Sequence, residues 1–114
     1  MEISKSSFSG VPLLSIAGEV DHLTASTLED EIQDSLSSGS QNLLLDMAKC
    51  PYLDSGGLGV ILSTVRRQRG NGWLGVVSPN ANLVRLFQIV GLGGEMGFRV
   101  FADLSEASAF LASQ

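Results

Sequence analysis

The run Asn42-Leu43-Leu44-Leu45-Asp46-Met47, the link Ala48-Lys49-Cys50-Pro51-Tyr52-Leu53-Asp54 and the segment Ser55-Gly56-Gly57-Leu58-Gly59-Val60-Ile61-Leu62 decide how this chain folds. The first six residues are a short, nearly continuous apolar run of the kind buried on both faces in a parallel strand. After the connection through Pro51 the period changes. Leu58, Ile61, Leu62 and Val65 recur at i, i+3, i+4 and i+7, which predicts one core-facing stripe on a helix that starts at Gly56 or Gly57 and ends at Gly70.

Working outward, the same alternation repeats. Upstream, Glu2 to Phe8 and Val11 to Ala17 flank Ser9-Gly10 and read as a hairpin, with a weaker edge strand beside a buried one. From Leu23 the pattern is helical through Ala25, Leu28, Ile32 and Leu36. Thr24 is placed to cap this helix, Ser38-Gly39 to stop it, and Glu29, Asp30 and Asp34 fall on its wet side. Downstream, Trp73 to Ser78 reads as a strand. Asn80 caps a helix carrying Leu83, Leu86, Phe87 and Val90, and Gly91 ends it in a left-handed conformation. Phe98 to Phe101 is a last strand, and Asp103 opens a helix with Leu104, Ala107, Phe110 and Leu111. A hairpin followed by alternating helices and strands predicts an α/β fold, a mixed but mostly parallel sheet with helices packed on it.

The 114 residues fit one domain, read as 1–114, large enough to fold without staples. Hydrophobic residues make up 44% and charged ones 17%, which excludes a disordered chain. Cys50 has no second cysteine to pair with, and the start Met1-Glu2-Ile3-Ser4-Lys5 lacks the features of a secretion signal, so a cytoplasmic location is expected. No apolar run approaches the roughly 20 residues that cross a bilayer, so no direct membrane insertion is expected. The net charge of −5 disfavours direct contact with nucleic acid and favours a protein partner. Arg66, Arg67 and Arg69 cluster, but they close a helix, where cations complement the C-terminal dipole.

Ser55 lies between a loop and a helix start, so its hydroxyl is expected at the N-cap, near amides without intrahelical partners. Local chemistry leaves two readings open. One is an ordinary serine cap. The other is a seat for a phosphate, which would meet the positive end of the helix and the free amides of Gly56-Gly57. Ser-Gly-Gly-Leu-Gly lacks the Gly-Lys-Ser/Thr ending of a phosphate-binding loop and the fingerprint of a dinucleotide fold. A serine hydrolase is disfavoured as well, because Ser55 is not in a Gly-x-Ser-x-Gly elbow and His22, the chain's single histidine, would have to be its base. His22 reads instead as facing solvent or a partner. Cys50 reads as a small apolar residue, no Cys/His cluster exists for a transition metal, and no cofactor is called for.

Tyr52-Leu53-Asp54-Ser55-Gly56-Gly57-Leu58-Gly59-Val60-Ile61-Leu62 resembles the phosphorylation-site signature of the anti-sigma-factor antagonists, members of the STAS-domain family. Gly18-Glu19-Val20-Asp21-His22-Leu23-Thr24-Ala25 resembles the family's loop between the second strand and the first helix. Ser78-Pro79, Leu83-Val84-Arg85-Leu86-Phe87 and Gly91-Leu92 form a third matching block. The resemblance implies that Ser55 is the phosphorylated serine and that Asp54 and Asp21 are acidic positions beside it. It also implies a non-enzymatic role in partner switching. The unphosphorylated protein binds an anti-sigma factor that is itself a serine kinase and so frees a sigma factor for transcription. Phosphorylation ends the interaction, and a separate serine phosphatase restores it. One position departs from the pattern, because Gly56 stands where the family commonly has a second hydroxyl residue.

Helical angles counted from Gly56 put Gly56, Val60, Ser63 and Arg67 on one stripe opposite the apolar face. That stripe reads either as a plain solvated face or as a small-residue strip that lets a partner approach. With the loop residues, the expected partner-facing set is Asp21, His22, Leu53, Asp54, Gly56, Gly57, Val60, Ser63 and Arg67. The competing reading is a STAS subunit that docks permanently, through the same surface, in a transporter or sensory signalling complex.

Overall fold

The computed structural model describes residues 1–37, 39 and 41–114. Among them, β1 (Glu2–Phe8), β2 (Val11–Ala17), β3 (Leu43–Lys49), β4 (Leu74–Val77) and β5 (Phe98–Phe101) form one sheet in the order β1-β2-β3-β4-β5. β1 and β2 are antiparallel and every other pairing is parallel. The hairpin turn has positive φ at both Ser9 (52°) and Gly10 (82°), the backbone that matches the twist of the flanking strands.

The helices are α1 (Ala25–Ser37), α2 (Ser55–Arg67), α3 (Ala81–Ile89) and α4 (Leu104–Ala112), with a 3-10 turn at Leu92–Gly94. Each parallel crossover steps to the next strand in the same direction. With the right-handed connection that parallel units adopt, α1, α2 and α3 then lie on one face of the sheet. The main core agrees. Leu28 and Ile32 of α1, Ile61 and Val65 of α2, and Leu83 and Phe87 of α3 pack with Leu14, Ile16, Leu43, Leu45, Met47, Leu74 and Val76 of the sheet. A second core on the opposite face joins Leu13, Leu44, Val77 and Phe101 to Ala107, Phe110 and Leu111 of α4.

Helix ends follow the sequence with instructive exceptions. Asn80 and Asp103 cap α3 and α4 through their side chains, and Gly91 closes α3 at φ +85°. Ahead of α1, however, Asp21 takes the capping role expected of Thr24. Asp21 Oδ1 accepts from the amides of Leu23 and Thr24, both at 3.0 Å, while Thr24 Oγ1 accepts from the Asp21 amide at 3.0 Å. This reciprocal pair is a capping box, and Asp wins its first position because its carbonyl already takes the Ala25 amide at 2.9 Å. Of the expected stop of α1, Ser38 lies outside the described residues, and Gly39 has φ +104°.

Candidate functional site

The site forms beyond the carboxyl ends of β2 and β3, where the loops leading to α1 and α2 run side by side. Ligand and partner sites of parallel sheets concentrate at such ends. Val20 and Leu53 make an isolated parallel bridge that ties the loops together. The Val20 amide donates to the Tyr52 carbonyl at 3.0 Å, and the Asp54 amide to the Val20 carbonyl at 3.0 Å. Both bridging side chains are buried, so this pairing is the floor on which α2 begins.

Asp54 is the joint of the site. Its Oδ1 accepts from the amides of Gly56 (2.8 Å) and Gly57 (3.2 Å), and its carbonyl takes the Leu58 amide at 2.9 Å. Asp54 is therefore the N-cap of α2, and Ser55 is the first helical residue. The expectation of Ser55 at the cap is corrected by one position. Both types make good caps, but the bridge to Val20 holds Asp54 in the extended conformation that a cap requires (φ −91°, ψ −174°). The amides of Gly56 and Gly57, expected to be free for a phosphate, are already taken by this carboxylate.

The second oxygen of Asp54 reaches across to the other loop. Oδ2 accepts from the His22 amide at 3.0 Å and stands 3.6 Å from the His22 ring Nδ1. Partial burial pushes the carboxyl upward, but the amides of Gly57, His22 and Gly56 and the His22 ring outweigh it and hold its pKa below the ordinary value. The carboxylate thus links two loops while charged.

Two glycines let the elements approach. A Cβ on Gly57 would fall 2.5 Å from Leu53 Cδ1 and 2.7 Å from Val20 Cγ1. A Cβ on Gly56 would fall 2.9 Å from the His22 Cα, so no side chain fits there unless the β2–α1 loop moves. Among the described residues, no three His, Cys, Asp or Glu side chains are arranged to hold a metal ion, and no helix is long and apolar enough to cross a membrane.

A family model for the STAS domain matches residues 2–107. The chain belongs to the STAS-domain family. It is 32% identical over 98 residues to the anti-sigma-F factor antagonist RsfB of Mycobacterium tuberculosis, an alignment spanning 86% of this chain and 79% of that one. In structure it resembles an anti-sigma factor antagonist from Mycobacterium paratuberculosis, with a TM-score of 0.83, 25% identity and coverage of 95% and 91% of the two chains. It shares its fold with the Bacillus cell fate determinant SpoIIAA in the phosphorylated form (TM-score 0.71, 17% identity, 99% and 100% covered).

Within this STAS domain, Asp21, His22, Asp54, Ser55 and Gly56 come together, with Ser55 and His22 exposed and Asp21, Asp54 and Gly56 half-buried. Leu53, Gly57 and Val60 do not face outward. They lie in the core, Val60 at 7% exposure. The buried face of α2 is Gly57, Val60, Ile61, Thr64 and Val65, whereas Leu58 and Leu62, expected on the core stripe, are only half-buried. The helix is rolled from the expected orientation, and its outward face runs through Ser55, Gly59, Ser63 and Arg66. Thr64 is the reason a hydrophobic pattern misses this roll, since its hydroxyl donates to the Val60 carbonyl at 2.8 Å and is thereby satisfied inside the core. Arg67 turns toward α1, where its guanidinium meets Glu29 at 3.2 Å.

The structure adds surface residues that the sequence pattern passed over. Leu23 is 76% exposed and Tyr52 is 52% exposed, one on each of the paired loops. The available signal was, for Tyr52, a large apolar residue outside every helical or strand period, and for Leu23 a place at the head of the helical pattern, ahead of the first residue of α1.

Proposed function

We propose that this chain is an anti-sigma-factor antagonist that acts by partner switching. In its unphosphorylated form it binds an anti-sigma factor that is also a serine kinase, and a sigma factor is released. Phosphorylation at Ser55 ends that binding, and a serine phosphatase restores it. The chain is a cytoplasmic substrate of both enzymes and is not itself an enzyme. The observation that carries this reading is the exposed placement of Ser55 as the first residue of α2, beside loops that present Leu23, Tyr52 and His22. The names of its antagonist relatives support the same role.

The docking surface on this reading is the outward side of α2 with the two loop tips. Leu53, Gly57 and Val60 shape it from below, and Asp21 and Asp54 hold its parts in place. A phosphate on Ser55 adds about −1.5 to −2 charge at neutral pH. Because Asp54 already occupies the first amides of α2, the phosphate projects into the interface and stands beside a carboxylate. Bulk, desolvation and repulsion then act together, and a loss of about 4 kcal/mol weakens binding roughly a thousandfold.

The test has two arms. Mass spectrometry of the protein incubated with ATP and candidate kinases from its own genome is expected to place one phosphate on Ser55. Calorimetric titration with the kinase that does so is expected to show tight binding by wild type and Ser55→Ala and greatly weakened binding by Ser55→Asp. Equal affinity of all three proteins would overturn the electrostatic mechanism.

A further inference from the structure

We propose that His22 is the counter-ion of a Ser55 phosphate and makes the phosphorylated state proton-linked, an inference that rests on the Ser55 reading above. His22 is the chain's single histidine, and its side chain is 77% exposed. Its main chain is pinned by the amide bond to Asp54 Oδ2, and its ring Nδ1 stands 3.6 Å from the same oxygen. It also lies against the residue next to Ser55, because a Cβ on Gly56 would fall 2.9 Å from the His22 Cα and 3.2 Å from its Cβ. The glycine that departs from the expected hydroxyl thus lets the Cα and Cβ of His22 lie against the residue next to Ser55, while its ring meets the residue on the other side, Asp54.

Two carboxylates stand beside His22 among the described residues. Asp21 lies next to it in its own loop, Asp54 meets it from the start of α2, and a Ser55 phosphate arrives from the first residue of that helix. The phosphate adds to that negative field and favours the imidazolium. A dianion added to two carboxylates is otherwise unfavourable there, since Asp54 holds the nearest helix amides. Protonation of His22 relieves that repulsion. Imidazole is the side chain whose charge responds near neutral pH, so a dianion brought beside it favours the charged ring there.

The linkage runs both ways, because two interacting groups titrate as a pair. The phosphate raises the proton affinity of His22, and the imidazolium lowers the second ionisation of the phosphate by a comparable amount. Phosphoryl transfer from ATP to the Ser55 hydroxyl releases a proton, and the imidazole of His22 recaptures part of it, so the proton balance of the modification depends on His22.

The experiment installs phosphoserine at position 55 during translation, so it needs no cognate kinase. The His22 Cε1–Hε1 signal and the phosphorus resonance are followed by NMR from pH 5 to pH 9 in wild type, the phosphoserine protein and the phosphoserine protein carrying His22→Gln. The expected result is a roughly tenfold higher proton affinity of His22 in the modified chain, and a phosphate whose second pKa rises again in His22→Gln. Superimposable His22 titrations with and without phosphate would overturn the inference. Failure of the kinase assay at Ser55 is a separate outcome. It removes the biological phosphate and leaves the measured coupling as it stands.

Discussion

At the scale of single residues, Asp54 carries the most weight. It caps α2, holds the His22 loop, and competes with any phosphate for the amides of Gly56 and Gly57. Its depressed pKa fixes the sign of a pH effect. Because the folded value lies below that of the unfolded chain, about 3.9, the carboxylate stabilises the fold fully above that value, and the contribution fades as pH falls through the folded pKa. Asp54→Ala is expected to lower the thermal midpoint at pH 7. It should also lose less stability than wild type does between about pH 5 and pH 2, because it no longer has this group to protonate. Circular dichroism melts across that range check it, and parallel curves for the two proteins would contradict the role given to Asp54.

At the scale of elements, α2 shows what the sequence makes legible and what it hides. The hairpin, β5 and the ends of α3 and α4 follow from alternation, from Asn80 and Asp103, and from Gly91, because those signals are local. The start and roll of α2 are set by tertiary contacts. The Val20–Leu53 bridge chooses Asp54 over Ser55 as cap, and the packing of Gly57 and Thr64 turns the helix so that Val60 faces inward. Glycine and threonine are silent in a hydrophobic pattern, so Val60 is expected on the outward stripe although it lies in the core, while Ser63 and Arg67 of that stripe are not buried. Tyr52 escapes for a related reason, since periodicity says nothing about loops, and Leu23 escapes because α1 begins two residues after the helical pattern does.

That roll yields a paired prediction at the same scale. Gly57 and Gly59 lie two residues apart in one helix, but a Cβ on Gly57 runs into Leu53 and Val20, whereas one on Gly59 meets nothing within 4 Å. Gly57→Ala is expected to destabilise the protein by about 1–3 kcal/mol through overpacking. Gly59→Ala is expected to stabilise it by about 0.5–1 kcal/mol, because alanine restricts the unfolded chain and suits a helix interior better. Urea titrations of both variants give the comparison. Effects of the same sign would mean that the face of α2 has been misassigned.

At the scale of the whole molecule, the question is how far a phosphate on Ser55 is felt. The two paired loops are joined by the Val20–Leu53 bridge and by Asp54, and they rest on the core that α1, α2 and α3 share with the sheet. α4 packs in a different core on the opposite face, around Phe101 and Phe110. Modification changes the net charge from −5 to about −7 but removes no buried apolar contact. The phosphate also finds the helix terminus already occupied, so it has no reason to pull the backbone into a new arrangement. Amide chemical shifts on phosphorylation are therefore expected to move in residues 18–24 and 50–60 and to stay fixed in α4 and β5. Phe110, stacked edge-on with Trp73 at 5.5 Å and lying 4.9 Å beneath the Arg99 guanidinium, is a sensitive reporter on that far side. Shifts spreading to Phe110 and Arg99 would show that the switch reshapes the domain. Shifts confined to the two loops and the first turns of α2 would mean that it changes only the charge and bulk that a partner meets.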